Sequence, residues 1–197
     1  TPNANYFGPD SFSYTVEDDD GQVSNIASVS LTVTDVNDAP VAVVDSASVD
    51  EDGSVELDVV ANDTDLEGTI DPTTVVITTG PSNGTVSVNA TTGVVTYTPN
   101  ANYFGPDSFS YTVEDDDGQV SNIAAVSLTV TDVNDAPVAV VDSASVAEYG
   151  SVDVYVFSND TDLDGTMVPT SVMITTGPSN GTVSVNATTG VVTYTPN

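Results

Sequence analysis

Apolar and polar residues alternate along most of this chain. In Asp10-Ser11-Phe12-Ser13-Tyr14-Thr15-Val16 the apolar side chains fall at 12, 14 and 16, the period-2 pattern of a strand with one buried face. Ala27-Ser28-Val29-Ser30-Leu31-Thr32-Val33 alternates likewise within a predicted strand at 26–33. Further β-rich runs lie at 41–44, 54–60, 75–79, 85–88, 94–98 and 108–113. Turn-forming stretches punctuate them: Glu17-Asp18-Asp19-Asp20-Gly21, the loop from Asn62 to Gly68, Asn83-Gly84, and the segment from Asn89 to Gly93. The last two predict hairpin turns. No segment keeps a 3.6-residue period beyond a single turn, so the fold class is all-β.

The chain repeats itself. Residues 1–97 align without gaps on 98–194, and thirteen of the 97 positions differ, twelve of them between 50 and 76. Near-identical copies of this size signal an array of modules. The hexapeptide Asp35-Val36-Asn37-Asp38-Ala39-Pro40 recurs as Asp132-Val133-Asn134-Asp135-Ala136-Pro137. Proline cannot donate to a ladder and steers the residue before it away from helix, so each copy reads as a joint between modules. Counted from joint to joint, residues 39–135 hold seven predicted strands, a number and spacing that suit a seven-stranded Greek-key β-sandwich of immunoglobulin-like type. Residues 1–38 are then the end of a preceding repeat and 136–197 the start of a following one. With no cysteine or tryptophan, the core must be built from Val, Ile, Tyr and Phe.

Charge narrows the chemistry. There are 30 Asp and Glu residues and no Lys, Arg or His, a formal charge of −30. No side-chain ion pair can form, so self-repulsion has to be offset by salt or by bound metal. Clustering of the acids favours metal, and a joint with two carboxylates and an amide within four residues offers the hard oxygen ligands that calcium takes. Nucleic acid is an improbable partner without a cation to meet phosphate. Membrane insertion is not expected, because no apolar run is long enough to span a bilayer. Without His, Lys or Cys the usual general bases and nucleophiles are missing, and no enzymatic activity is expected.

Several motifs now fall in order. Tyr111-Thr112-Val113-Glu114-Asp115-Asp116-Asp117-Gly118 precedes Val126-Ser127-Leu128-Thr129-Val130-Thr131 and the joint. After the first joint come Val49-Asp50-Glu51-Asp52-Gly53 and Ala61-Asn62-Asp63-Thr64-Asp65-Leu66-Glu67-Gly68. In this order they resemble the end of one cadherin repeat and the start of the next. The whole chain is similar to the cadherin-like tandem repeats of large bacterial surface adhesins, often of the RTX type. The Leu-Asp-Arg-Glu motif of cadherins has no counterpart here, so the expected ion count per joint is smaller.

The resemblance implies calcium at each joint and gives the ligand sets by position. Around the first joint these are Asp35, the main-chain oxygen of Asn37, Asp38, Glu51, Asp63 and Asp65, with Asp115 or Asp117 from the end of the sixth strand. Around the second they are Asp132, Asn134, Asp135, Glu148, Asp160 and Asp162. Glu67 and its counterpart Asp164 stand evenly between ligand and surface, an acid being kept while its length changes.

The function expected on this basis is that of a calcium-rigidified extender, a spacer holding a distal binding module away from a bacterial cell surface, with biofilm attachment as a setting. The alternative is an adhesion module whose own sheet face binds glycan, ice or another cell; clustering of the variable residues on one exposed face would favour it. Expected partners are neighbouring repeats of the same chain. Residues 1–38 and 136–197 are also expected to complete each other head to tail between chains, by strand complementation.

Overall fold

The computed structural model describes all residues, 1–197. Strands β1 (Gly8–Tyr14) and β2 (Ala27–Val33) form an antiparallel hairpin on their own. Seven strands follow: β3 (Asp45–Asp50), β4 (Val55–Leu57), β5 (Ile70–Thr79), β6 (Gly84–Val88), β7 (Val95–Pro99), β8 (Gly105–Asp115) and β9 (Ala124–Thr131). They build two sheets, ordered β3-β9-β8-β5 and β4-β7-β6. The last residues hold β10 (Val152–Val154), β11 (Gly181–Val185) and β12 (Val192–Pro196), in the order β10-β12-β11. No helix is long and apolar enough to cross a membrane.

The core lies between the two central sheets and follows from the alternation. Phe109, Tyr111 and Val113 of β8 point inward with Val126, Leu128 and Val130 of β9, against Val95 and Tyr97 of β7 and Leu57 of β4. Burial of each such side chain contributes about 1.5–3 kcal/mol. The residues between them, Ser108, Ser110, Ser127 and Thr129, put hydroxyls on the outer face. All strand pairs in the larger sheet are antiparallel except β3 with β9, which runs parallel from Asp45↔Val126 to Asp50↔Thr131.

Three expectations are corrected here. The first strand of the central sandwich lies at Asp45–Asp50 rather than 41–44. Side chains claim the earlier backbone: Asn122 both accepts from the Ala42 N–H and donates to its carbonyl, and Asp63 accepts from the Val43 N–H at 2.7 Å. Asn83-Gly84 is not a hairpin turn, because β5 and β6 belong to different sheets. It is a crossing, held by the Asp107 carboxylate, which accepts from the N–H groups of Ser82 and Asn83 at 3.0 and 2.9 Å. The Asn89–Gly93 turn does join a hairpin, β6 to β7, and Gly93 takes a positive φ of 73°, with the Pro72 carbonyl where a side chain would stand. Lastly, residues 136–197 form only three strands, where the equivalent residues 39–100 form five. The equivalents of β3 and β5 are unpaired, and a 3-10 turn at Pro169–Ser171 stands in place of the latter. In the central sandwich β3 pairs only with β9, and β5 only with β8. No counterpart of that hairpin follows β12 within these 197 residues.

The sheets are also tied by one hydroxyl. Tyr111 is fully buried, and its Oη lies 2.6 Å from the Val59 carbonyl and 3.0 Å from both Asp63 carboxylate oxygens. Replacing it by phenylalanine removes the donor and leaves a buried carbonyl unpaired. Tyr111→Phe is expected to lower stability by about 1–3 kcal/mol in urea denaturation. A midpoint unchanged from that of the parent chain would show that this hydroxyl does not hold the sheets.

Candidate metal centres at the joints

The parallel pairing of β3 with β9 decides what meets at the second joint. Because both strands run the same way, the residue after β3 lies beside the residues after β9. Glu51 accordingly donates its backbone N–H to the Thr131 carbonyl at 3.0 Å, and its side-chain Oε1 accepts from the Val133 N–H at 2.8 Å. From beyond the joint, the loop before Pro169 brings in Asp164, whose Oδ2 accepts from the Asp135 N–H at 2.7 Å. Carboxylate oxygens of Glu51, Asp132 and Asp164 lie within 4.8 Å of one another. Glu51 is buried, Asp164 half-buried and Asp132 exposed. Asp164 Oδ1 is buried without a hydrogen-bond partner.

The electrostatics of this cluster are unfavourable as it stands. The Val133 N–H draws the Glu51 carboxyl downward, but burial and the neighbouring charges of Asp132 and Asp135 outweigh it, so the group sits above the ordinary glutamate range. Glu51, Asp132 and Asp164, with one Asp164 oxygen lacking a partner, form an all-oxygen donor set of the kind calcium accepts.

The first joint repeats part of this arrangement. Glu67, the counterpart of Asp164, accepts from the Asp38 N–H at 3.2 Å. Burial raises the Glu67 carboxyl; the Asp38 N–H opposes that, and the charges of Asp38 and Asp35 reinforce it. Asp65 turns Oδ1 toward the N–H groups of Glu67 and Gly68, at 3.1 and 3.0 Å, and its Oδ2 is buried with no partner. Asp115, almost fully buried, accepts from Asn37 Nδ2 at 2.8 Å and from the Gln119 and Asp117 N–H groups. Burial alone would raise Asp115, yet these donors hold it below the usual carboxylate range. Asn37 keeps its main-chain oxygen on Gln119 Nε2, at 2.6 Å.

Several expected ligands stand elsewhere. Glu51 lies at the second joint, not the first, for the reason of strand direction just given. Its copy Glu148 is exposed and outside the cluster. Asp63 and Asp160 hold backbone: their Oδ1 atoms accept from Val43 and Val140 N–H, both at 2.7 Å. Asp162 caps the Gly165 N–H at 2.9 Å. Asp117 is exposed and gives its N–H to Asp115, while exposed Asn134 donates its amide to the Asp135 carbonyl. Asp35 is exposed on the joint. The residue the motif comparison left undecided, Asp164, is the one the second cluster needs. Its signal was an acid kept while its length changes from Glu67.

The family described as bacterial Ig domain matches residues 1–34, 37–131 and 134–197. Integrin beta-like protein A of Dictyostelium discoideum is 30% identical over 200 residues, covering 95% of this chain and 10% of that protein. Integrin beta-like protein C of the same organism is 33% identical over 157 residues, 68% of this chain and 8% of that protein. The chain thus spans about a tenth of the length of these relatives. Among solved structures, an endo-fucoidan hydrolase of glycoside hydrolase family 107 superposes with a TM-score of 0.40 at 18% identity, over 100% of this chain and 30% of the other. The human desmocollin-1 ectodomain gives 0.39 at 18%, over 94% and 39%. Superpositions this loose carry no functional weight.

Acid should act on the metal-free chain in two stages. For Asp45 and Asp63 burial is the main cause of a raised carboxyl, and Glu51 and Glu67 are raised as described. A carboxyl raised in the folded state binds its proton before the unfolded chain does, so stability grows as pH falls through that window and is complete below the unfolded value. Asp107 and Asp115 are depressed, and their contribution is lost as pH falls further, through their folded values. Thermal melting in chelator is therefore expected to show a maximum in mildly acid buffer, above its value at neutral pH. A monotonic fall from neutral pH downward would contradict these shifts. The family match covers nearly all of the sequence, and the two central sheets are the sandwich it describes: the chain belongs to the bacterial Ig domain family.

Proposed function

We propose that this chain is a non-enzymatic spacer segment of an extracellular, repetitive adhesion protein, stiffened by calcium at the joints between repeats. The observation that supports it best is the Glu51–Asp132–Asp164 cluster, because its members come from both sides of a joint. Calcium bound there would neutralise crowded acids and tie the end of one repeat to a loop of the next. Glu51, Asp132 and Asp164 would hold it, the last with the oxygen that lacks a partner. Asp38, Glu67 and Asp65 would do the same at the first joint. The repeats are taken as 1–38, 39–135 and 136–197, with the joints as boundaries. A bacterial surface adhesin, of RTX type, is the setting proposed for the parent protein.

The variable positions also favour a spacer over a binding face. They run from Asp50 and Asp52 through Glu56 and buried Leu57 to Ile70 and Val76. They fall in both sheets and on both exposed and interior sites, whereas selection on one contact surface would have collected them there.

A ligand that binds only the folded state stabilises it by about 2.7 kcal/mol at a hundredfold excess over its dissociation constant. For a domain of this size that amounts to a melting shift of about 10–20 °C. Calcium is expected to raise the melting temperature by about that much, with magnesium a poor substitute because it demands tighter octahedral geometry. Glu51→Gln should weaken calcium binding in calorimetry by about tenfold or more, and Glu148→Gln should leave it unchanged. Equal effects of the two substitutions would place the site elsewhere. No calcium effect on melting or heat would end the reading altogether.

A further inference from the structure

We propose that two copies of this chain pair side by side through β6, an edge strand of the smaller sheet, which meets β6 of the second copy antiparallel. β6 is an edge of the closed central sandwich, and the pairing is independent of calcium.

Charge singles out the place. The chain carries 30 acids, yet none falls between Pro72 and Pro106, a stretch that holds most of β5 and all of β6 and β7. None falls between Gly165 and Asn197 either. Like-charged copies repel wherever acids face each other, so a close contact between them is least costly here. Asp107, which holds the crossing into β6, has its carboxylate occupied by the Ser82 and Asn83 N–H groups and the Tyr97 hydroxyl.

An open sheet edge invites another strand, and proteins blunt such edges with charge, proline, bulges or shortness. Three edges of the central sandwich are blunted in this way. β3 begins and ends on an acid, Asp45 and Asp50. β4 is three residues long with Glu56 exposed at its middle. β5 carries Asp71 and Pro72, and its register against β8 shifts twice. β6, from Gly84 to Val88, has none of these devices and keeps an unbroken register with β7.

The end bonds of that ladder fix which backbone groups are free. The Asn100 N–H donates to the Asn83 carbonyl at 2.8 Å, and the Asn89 N–H to the Val94 carbonyl at 2.9 Å. Bonded positions alternate with unbonded ones in an antiparallel pair. Thr85 and Ser87 therefore spend their N–H and carbonyl groups on β7, while Gly84, Val86 and Val88 turn theirs outward. Antiparallel pairing centred on Val86 sets Gly84 of one copy against Val88 of the other, and each outward donor meets a carbonyl. On the outer side of the sheet Thr85 then lies opposite Ser87 of the second copy, a hydroxyl pair without charge. On the inner side valine meets valine.

The repeat points to a second copy as the partner. Strand β11 has the residues and register of β6 and is likewise an edge. All of β6 and β7 is identical in the two repeats, as a self-complementary contact requires. In an array the edge returns once per repeat. Another array of the same repeat can match it more than once, and weak contacts then add.

Light scattering on the full 197-residue chain tests this, at moderate salt to screen the like charge of the copies. Mass should double or more with rising concentration, and amide exchange at Val86 and Val183 should slow in step. Val86→Pro with Val183→Pro removes the central outward donor of both edges without adding charge. Proline is tolerated on an edge whose N–H faces solvent, so the ladder to β7 stays intact. A second variant combines Thr85→Asp, Ser87→Asp, Thr182→Asp and Ser184→Asp, all at exposed positions, and sets acid against acid across the pairing. Each variant should melt as cooperatively as the parent and stay monomeric. A parent chain that is monomeric at every concentration would overturn the proposal. So would association that persists in either folded variant, or association that leaves exchange at Val86 unchanged.

Discussion

The structure depends on the packing of one hairpin against one sheet. Strands β8 and β9 supply the largest share of the buried core, and they also carry the ladders on which β3 and β5 depend. In residues 136–197 a three-stranded sheet is present, while the equivalents of β3 and β5 are unpaired. Supply the hairpin alone, as in residues 1–38, and it keeps its register but exposes its aromatic face. The pairing of β4 with β7 and β6 is local in sequence and survives alone. That of β3 with β9 spans about eighty residues and needs the sandwich closed around it.

Closing the sandwich also assembles the joint. The parallel β3–β9 pair carries Glu51 to the end of β9, where the Asp132–Asp135 stretch begins. Core packing and acid clustering are therefore one arrangement seen at two ends of the same strands. With no basic side chain available, the chain cannot spread its charge into ion pairs. Many of its carboxylates gather in the loops and at the joints. Several of these acids are satisfied by backbone N–H groups, as Asp107 and Asp115 are. Those left over, Asp65 Oδ2 and Asp164 Oδ1, fall at the joints.

Much of this was legible in the residues. Alternation at Phe109, Tyr111 and Val113 marked the inward face of β8, and the repeat of 97 residues marked the modular plan. What alternation cannot carry is pairing direction, since a strand looks alike whether its neighbour runs parallel or antiparallel. That is why Glu51 was placed at the wrong joint. Nor can it show which backbone groups are already spoken for: Val41, Ala42 and Val43 look like strand but have Thr64, Asn122 and Asp63 as partners. Side-chain capture of backbone depends on tertiary contacts eighty residues away, as Asn122 with Ala42 shows.

Identical sequence with different surroundings is the most informative feature of this chain. Glu51 and Glu148 hold the same place in the repeat, although both immediate neighbours differ (Asp50 and Asp52 against Ala147 and Tyr149), and Glu51 is the one that meets a joint motif and a following loop. On the proposed reading, Glu51 becomes part of a site through what the next repeat brings. The Glu51–Asp132–Asp164 cluster draws on the residue after β3 of one module, the hexapeptide, and the acidic loop of its successor. Any ligand that holds such a cluster together must raise the stability of both modules at once, because it is lost when either unfolds. Under the proposed function, nearest-neighbour coupling of this kind would turn a string of marginal sandwiches into a cooperative rod. It would also give near-identity between repeats a physical reason, since every module would then serve as both giver and receiver of such groups.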